Sequence, residues 1–77
     1  MFDKLNAQIQ TMGSADCIKD GFRSAISYAR NHPEIVSSRH SWYCGLFWSG
    51  AEYDIILYDE NGNWRQRFYN SNRLGDP

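Results

Sequence analysis

Seventy-seven residues, 42% of them hydrophobic and 16% aromatic, make one small domain with a well-supplied core and exclude a chain that is disordered over most of its length. Eight basic residues against nine acidic ones give a net charge of −1. That balance excludes a bulk field drawing the chain to nucleic acid or an anionic membrane, and it excludes a polyanion mimic.

Two cysteines, Cys17 and Cys44, are too few for a disulfide framework. No stretch approaches the ~18 apolar residues of a membrane span. The opening Met1-Phe2-Asp3-Lys4-Leu5-Asn6 lacks the basic start and apolar run of a secretory signal. A soluble, cytoplasmic protein with reduced thiols is therefore expected.

In chain order, Phe2, Leu5, Ile9 and Met12 recur at three- and four-residue steps and predict a helix over 2–12. Gly13-Ser14 interrupts it, and Ser14 or Asp16 can cap a second helix over 15–30 by accepting from its first free N–H groups. There Ile18, Phe22, Ala25, Ile26 and Ala29 form one apolar stripe. Gly21 interrupts good helix formers at a cost of up to ~1 kcal/mol and marks a close backbone approach. Asn31-His32-Pro33 ends the helix, because the residue before proline disfavours the α region. Pro33 to Ser38 is expected to be a connecting turn.

From His40 onward the period changes to two. Asn61-Gly62 predicts a two-residue type I′ hairpin loop, since both residues tolerate positive φ. That loop pairs Asp59 with Trp64, Leu57 with Gln66 and Ile55 with Phe68. Ser49-Gly50, taken as a second two-residue loop, pairs Trp48 with Ala51, Leu46 with Tyr53, Cys44 with Ile55 and Trp42 with Leu57. The two hairpins agree on which residues share a face, giving a meander of strands at 41–49, 51–60 and 63–70 with a polar, flexible tail at 71–77. The expected fold is α+β, with two N-terminal helices packed on one face of a three-stranded antiparallel meander sheet (ααβββ).

One sheet face then carries Trp42, Cys44, Leu46, Trp48, Tyr53, Ile55, Leu57, Trp64 and Phe68, the expected core. The other carries Tyr43, Gly45, Phe47, Glu52, Asp54, Ile56, Tyr58, Arg65, Arg67 and Tyr69. Contiguous apolar surface of that kind marks a binding site, and Tyr and Arg are enriched where interfaces concentrate their energy. Tyr43, Phe47, Ile56, Tyr58, Arg65, Arg67 and Tyr69 are the candidate partner-binding residues.

Chemistry is harder to place. Cys44 with His40 is the one nucleophile–base pairing, but the register turns Cys44 inward, whereas a reactive thiol needs exposure. His40 and Cys44 stand about 13 Å apart in a strand, too far to share a metal ion. His32 and Cys17 complete no ligand set. Phosphate loops and the G-x-S-x-G elbow are missing. No catalytic residue, cofactor or metal is expected.

In size and lack of motifs the chain is similar to many short accessory proteins of bacteriophages and mobile elements, anti-CRISPR inhibitors among them. That resemblance of type, carried by no particular residue, implies a host-protein partner and inhibition or modulation by occlusion. The leading expectation is a non-catalytic protein-binding module using the outer sheet face. The alternatives are a single-stranded nucleic-acid platform of aromatics and arginines, and a structural homodimer that buries this face against itself.

Overall fold

A computed structural model describes residues 2–12, 16–44 and 51–70. Helix α1 (Phe2–Thr11) and helix α2 (Asp16–Asn31) precede strands β1 (Ser37–Cys44), β2 (Ala51–Tyr58) and β3 (Trp64–Asn70). The strands form one antiparallel sheet in the order β1-β2-β3, so the fold is the expected ααβββ. No described helix is long and apolar enough to cross a membrane.

Both helices form where their apolar stripes require. Leu5 and Met12 of the first segment are buried with Ile18, Phe22, Ala25, Ile26 and Ala29 of α2, and Ile9 packs at the margin. Ile55 and Leu57 of β2 complete this cluster from the sheet side, with Trp42, Tyr53 and Phe68 packed against it. Helix α1 lies on this same side, because Trp42 Nε1 donates to Gln8 Oε1 at 2.8 Å. Helix α2 ends as Pro33 predicts. His32 N donates to Ala29 O at 3.4 Å, and a turn closed by Ile35 N to His32 O at 3.1 Å buries Ile35 beneath the helix end.

The strand boundaries differ from the sequence reading at β1. That strand starts at Ser37, inside the expected connecting turn, and Val36 N already donates to Tyr58 O at 2.9 Å. The run Ser37-Ser38-Arg39-His40 lacks apolar alternation, so no period of two announces it. Residues 45–50, including Leu46, Phe47 and Trp48, lie outside the described residues, as does the tail from 71.

The first hairpin is also re-registered. Cys44 stands opposite Ala51, not Ile55, and Trp42 opposite Tyr53, not Leu57. The register that a Ser49-Gly50 loop would impose is therefore not the one observed between the described strands; Ser49 and Gly50 themselves lie outside the described residues. The slide covers four residues of β2, from 55 to 51. An even slide preserves which face each side chain occupies, so Trp42 keeps the core side and Tyr43 the outer side.

In the second hairpin the strand body agrees: Leu57 pairs with Gln66 and Ile55 with Phe68. The turn differs. Gly62 N donates to Asp59 O at 3.1 Å and Asp59 N donates to Asn63 O at 3.0 Å, so the loop is Glu60-Asn61-Gly62. Gly62 takes up positive φ, at 81°. A three-residue loop of this kind is normally followed by an irregular ladder. Here the register shifts between Leu57 and Tyr58, so that Trp64 meets Tyr58 in place of Asp59.

Candidate protein-binding face

Four cross-strand rows make up the outer face. Tyr43 stands opposite Glu52; Ser41 opposite Asp54, which meets Tyr69 on its other side; Arg39 opposite Ile56, which meets Arg67; and Ser37 opposite Tyr58, which meets Trp64. Directly opposed residues of an antiparallel pair share a face, so these side chains form one surface. Neither helix packs on it, since both belong to the cluster on the other side.

The corrected registers redistribute its character. On β1 the outer column is Ser37, Arg39, Ser41 and Tyr43, polar except for its last member. The aromatic weight moves to β3, where Tyr69 is 56% and Trp64 51% exposed. Tyr43, at 55%, is the large exposed ring of β1. Trp64 was expected in the core; the ladder irregularity carries it to the face of Tyr58 instead.

Of the candidate residues, Tyr43, Ile56, Tyr58, Arg67 and Tyr69 are brought together on this surface. Ile56 is its floor: flanked by arginines on both neighbouring strands, it is only 2% exposed. Arg65 follows Trp64 at the ladder irregularity and has no cross-strand partner of its own among the described residues. It lines a cleft of about 460 Å³ at the hairpin end of the sheet with Glu34, Asp59 and Glu60. There Glu34 titrates below its ordinary range, chiefly through a backbone hydrogen bond, with His32 and Arg65 adding favourable charge.

Arg67 is held from two directions. Its Nε and Nη2 donate to the two carboxylate oxygens of Asp54 at 2.8 and 3.2 Å, and its guanidinium lies 4.9 Å from the centre of the Tyr69 ring. The Arg67 and Asp54 side chains are only 12% and 16% exposed. A bidentate pair shielded in this way fixes both side chains and holds the cation beside the Tyr69 ring.

The histidines have packing roles. The His40 ring, opposite Ile55, meets Phe22 edge-on at 5.5 Å; His32 stacks on Tyr28 at 3.8 Å and contacts Glu34 at 3.0 Å. Among the described residues no three His, Cys, Asp or Glu side chains are grouped to hold a metal ion. The side chains of Cys17 and Cys44 lie outside the description.

Comparison with protein-family models, with curated proteins and with solved structures finds no match to this chain.

Proposed function

We propose that the chain is a non-catalytic protein-binding module that docks through its outer sheet face and acts by occluding its partner. The observation supporting this is the exposure of Tyr43, Trp64 and Tyr69 on a face against which neither helix packs. Large rings with few rotatable bonds add contact area at low entropic cost, and the Asp54–Arg67 pair stands preformed beside one of them, Tyr69. Similarity of type to short phage and mobile-element proteins makes a host protein the partner class to test first.

A nucleic-acid platform receives less support. Phosphate neutralisation drives such binding, yet Arg67 is already paired with Asp54 and Glu52 stands on the same face.

The test is affinity capture from the native host followed by mass spectrometry, with a Trp64→Ser, Tyr69→Ser double variant beside the wild type. Loss of a specific partner, by a variant that melts like the wild type, supports the reading. Capture of the same partners by both proteins overturns it. Sedimentation at micromolar concentration checks for a second copy, since a concentration-dependent dimer abolished by the same variant assigns the face to self-association.

A further inference from the structure

We propose that a depression on the β1–β2 half of the outer face is the seat for a carboxylate of the bound protein, with Arg39 as its ligand; this rests on the outer face being the docking surface. Two arginines flank the buried Ile56 across the sheet, Arg39 on β1 and Arg67 on β3. They are not equivalent. Arg67 is neutralised by the two oxygens of Asp54. Arg39 is exposed and has no ion-pair partner among the described residues.

The depression beside Arg39 encloses about 300 Å³ and is lined by Arg39, His40, Ser41, Asp54 and Ile56. Ile56 lies beneath it, and the row beside Arg39 carries the Ser41 hydroxyl next to Asp54, whose carboxylate is paired with Arg67. An aspartate or glutamate side chain matches this arrangement. Its methylenes lie along the Arg39 stem that covers Ile56, and its oxygens accept from the guanidinium and the hydroxyl. A cationic side chain meets Arg39 as a like charge, and a purely apolar one leaves the guanidinium desolvated without a partner. At this depression Arg39 therefore selects an acidic group, with Glu52 two rows away opposite Tyr43, while the rings of Tyr43, Trp64 and Tyr69 supply contact area around it.

The experiment displays random peptides against the immobilised full chain. Selected peptides are then synthesised and titrated against wild type, Arg39→Glu, Arg39→Lys and Tyr69→Ala. The expected result is enrichment of Asp or Glu beside an apolar residue, with affinity about 10- to 100-fold weaker for Arg39→Glu and partly retained by Arg39→Lys. Peptides that lose affinity with Tyr69→Ala but ignore Arg39→Glu overturn the carboxylate seat and leave the outer face as the interface. A selection that yields no binder sensitive to either substitution overturns both. Binding of a single-stranded oligonucleotide pool through Arg39, lost steeply with salt, assigns the arginine to phosphate and overturns the protein carboxylate.

Discussion

The ring of Tyr53 lies directly against Gly21: a Cβ built on that helix residue overlaps Cε2 and Cζ of the tyrosine. This contact sets how near α2 approaches the central strand, and it explains a glycine in the middle of an otherwise good helix. Alanine at 21 gains helix propensity of up to ~1 kcal/mol but displaces the ring, at a cost typical of overpacking of about 1–3 kcal/mol. The single variant Gly21→Ala is expected to lose about 1 kcal/mol net. In a Tyr53→Ala background the same change is expected to stabilise by about 0.5–1 kcal/mol. Urea unfolding of the four proteins of this cycle reads the change of sign, and an unchanged sign refutes the steric account.

Helix α1 is tied to the sheet through the indole of Trp42 and the amide oxygen of Gln8, 2.8 Å apart. A partly buried indole N–H that loses its acceptor keeps the desolvation cost. Gln8→Ala should therefore destabilise by about 1 kcal/mol, and a cycle with Trp42→Phe should return a coupling of about 0.5–1.5 kcal/mol. Additive effects of the two changes would show that the bond contributes nothing to holding α1.

How much of this was legible beforehand depends on what carried each signal. The stripe of α2 was readable because one face of a helix repeats at a fixed spacing and all five of its predicted residues are buried. Face assignment for Trp42 and Tyr43 survived a wrong register because the slide was even. Trp64 was misplaced because a single irregularity in the ladder leaves no trace in hydrophobic periodicity. A clue was present in the turn itself: Asp at its first position and Gly at its fourth, as in Asp59-Glu60-Asn61-Gly62, favour a turn centred on Glu60-Asn61. The start of β1 was illegible for a different reason. Serines and an arginine on an edge strand pair through their backbone without advertising a buried face.

That turn provides a third test. Asp59 Oδ1 accepts from the backbone N–H groups of Asn61 at 2.9 Å and of Asn63 at 3.0 Å, while Gly62 sits at φ 81°. Gly62→Ala forces a side chain into the left-handed region and should cost about 1–2 kcal/mol, with Gly62→Asn costing less. Asp59→Ala loses both acceptor contacts and should cost about 1–2 kcal/mol. Thermal melts order the variants, and equal melting of Gly62→Ala and Gly62→Asn would contradict the left-handed assignment.

His40 makes stability depend on pH. Burial against Phe22, and secondarily the charge of Lys4, hold its pKa below the ordinary 6.5. The unfolded chain therefore binds this proton more readily than the folded one. The stabilising contribution is complete above the ordinary value and declines as pH falls through it towards the lower folded value. The denaturant midpoint should drop between about pH 7.5 and about pH 5.5 in the wild type, and the drop should shrink in His40→Gln. Identical pH profiles for the two proteins would assign the dependence to other groups.

The pair of Asp54 and Arg67 separates fold from surface. Because both side chains are largely shielded, removing the carboxylate alone leaves a guanidinium without its bidentate partner in a confined site. Asp54→Ala should cost about 1.5–3 kcal/mol. Replacing both, as Asp54→Ala with Arg67→Met, removes the guanidinium together with its carboxylate and should recover much of that loss, since methionine can cover Ile56 in place of the arginine stem. The double variant also removes the cation beside the Tyr69 ring, 4.9 Å from its centre in the wild type. Chemical denaturation measures the recovery, and the tyrosine side-chain resonances by NMR report whether Tyr69 becomes mobile. A double variant as unstable as Asp54→Ala would mean that Arg67 is needed as the lid of Ile56. A stable double variant with a mobile Tyr69 would show that the pair acts chiefly to hold the aromatic surface in shape.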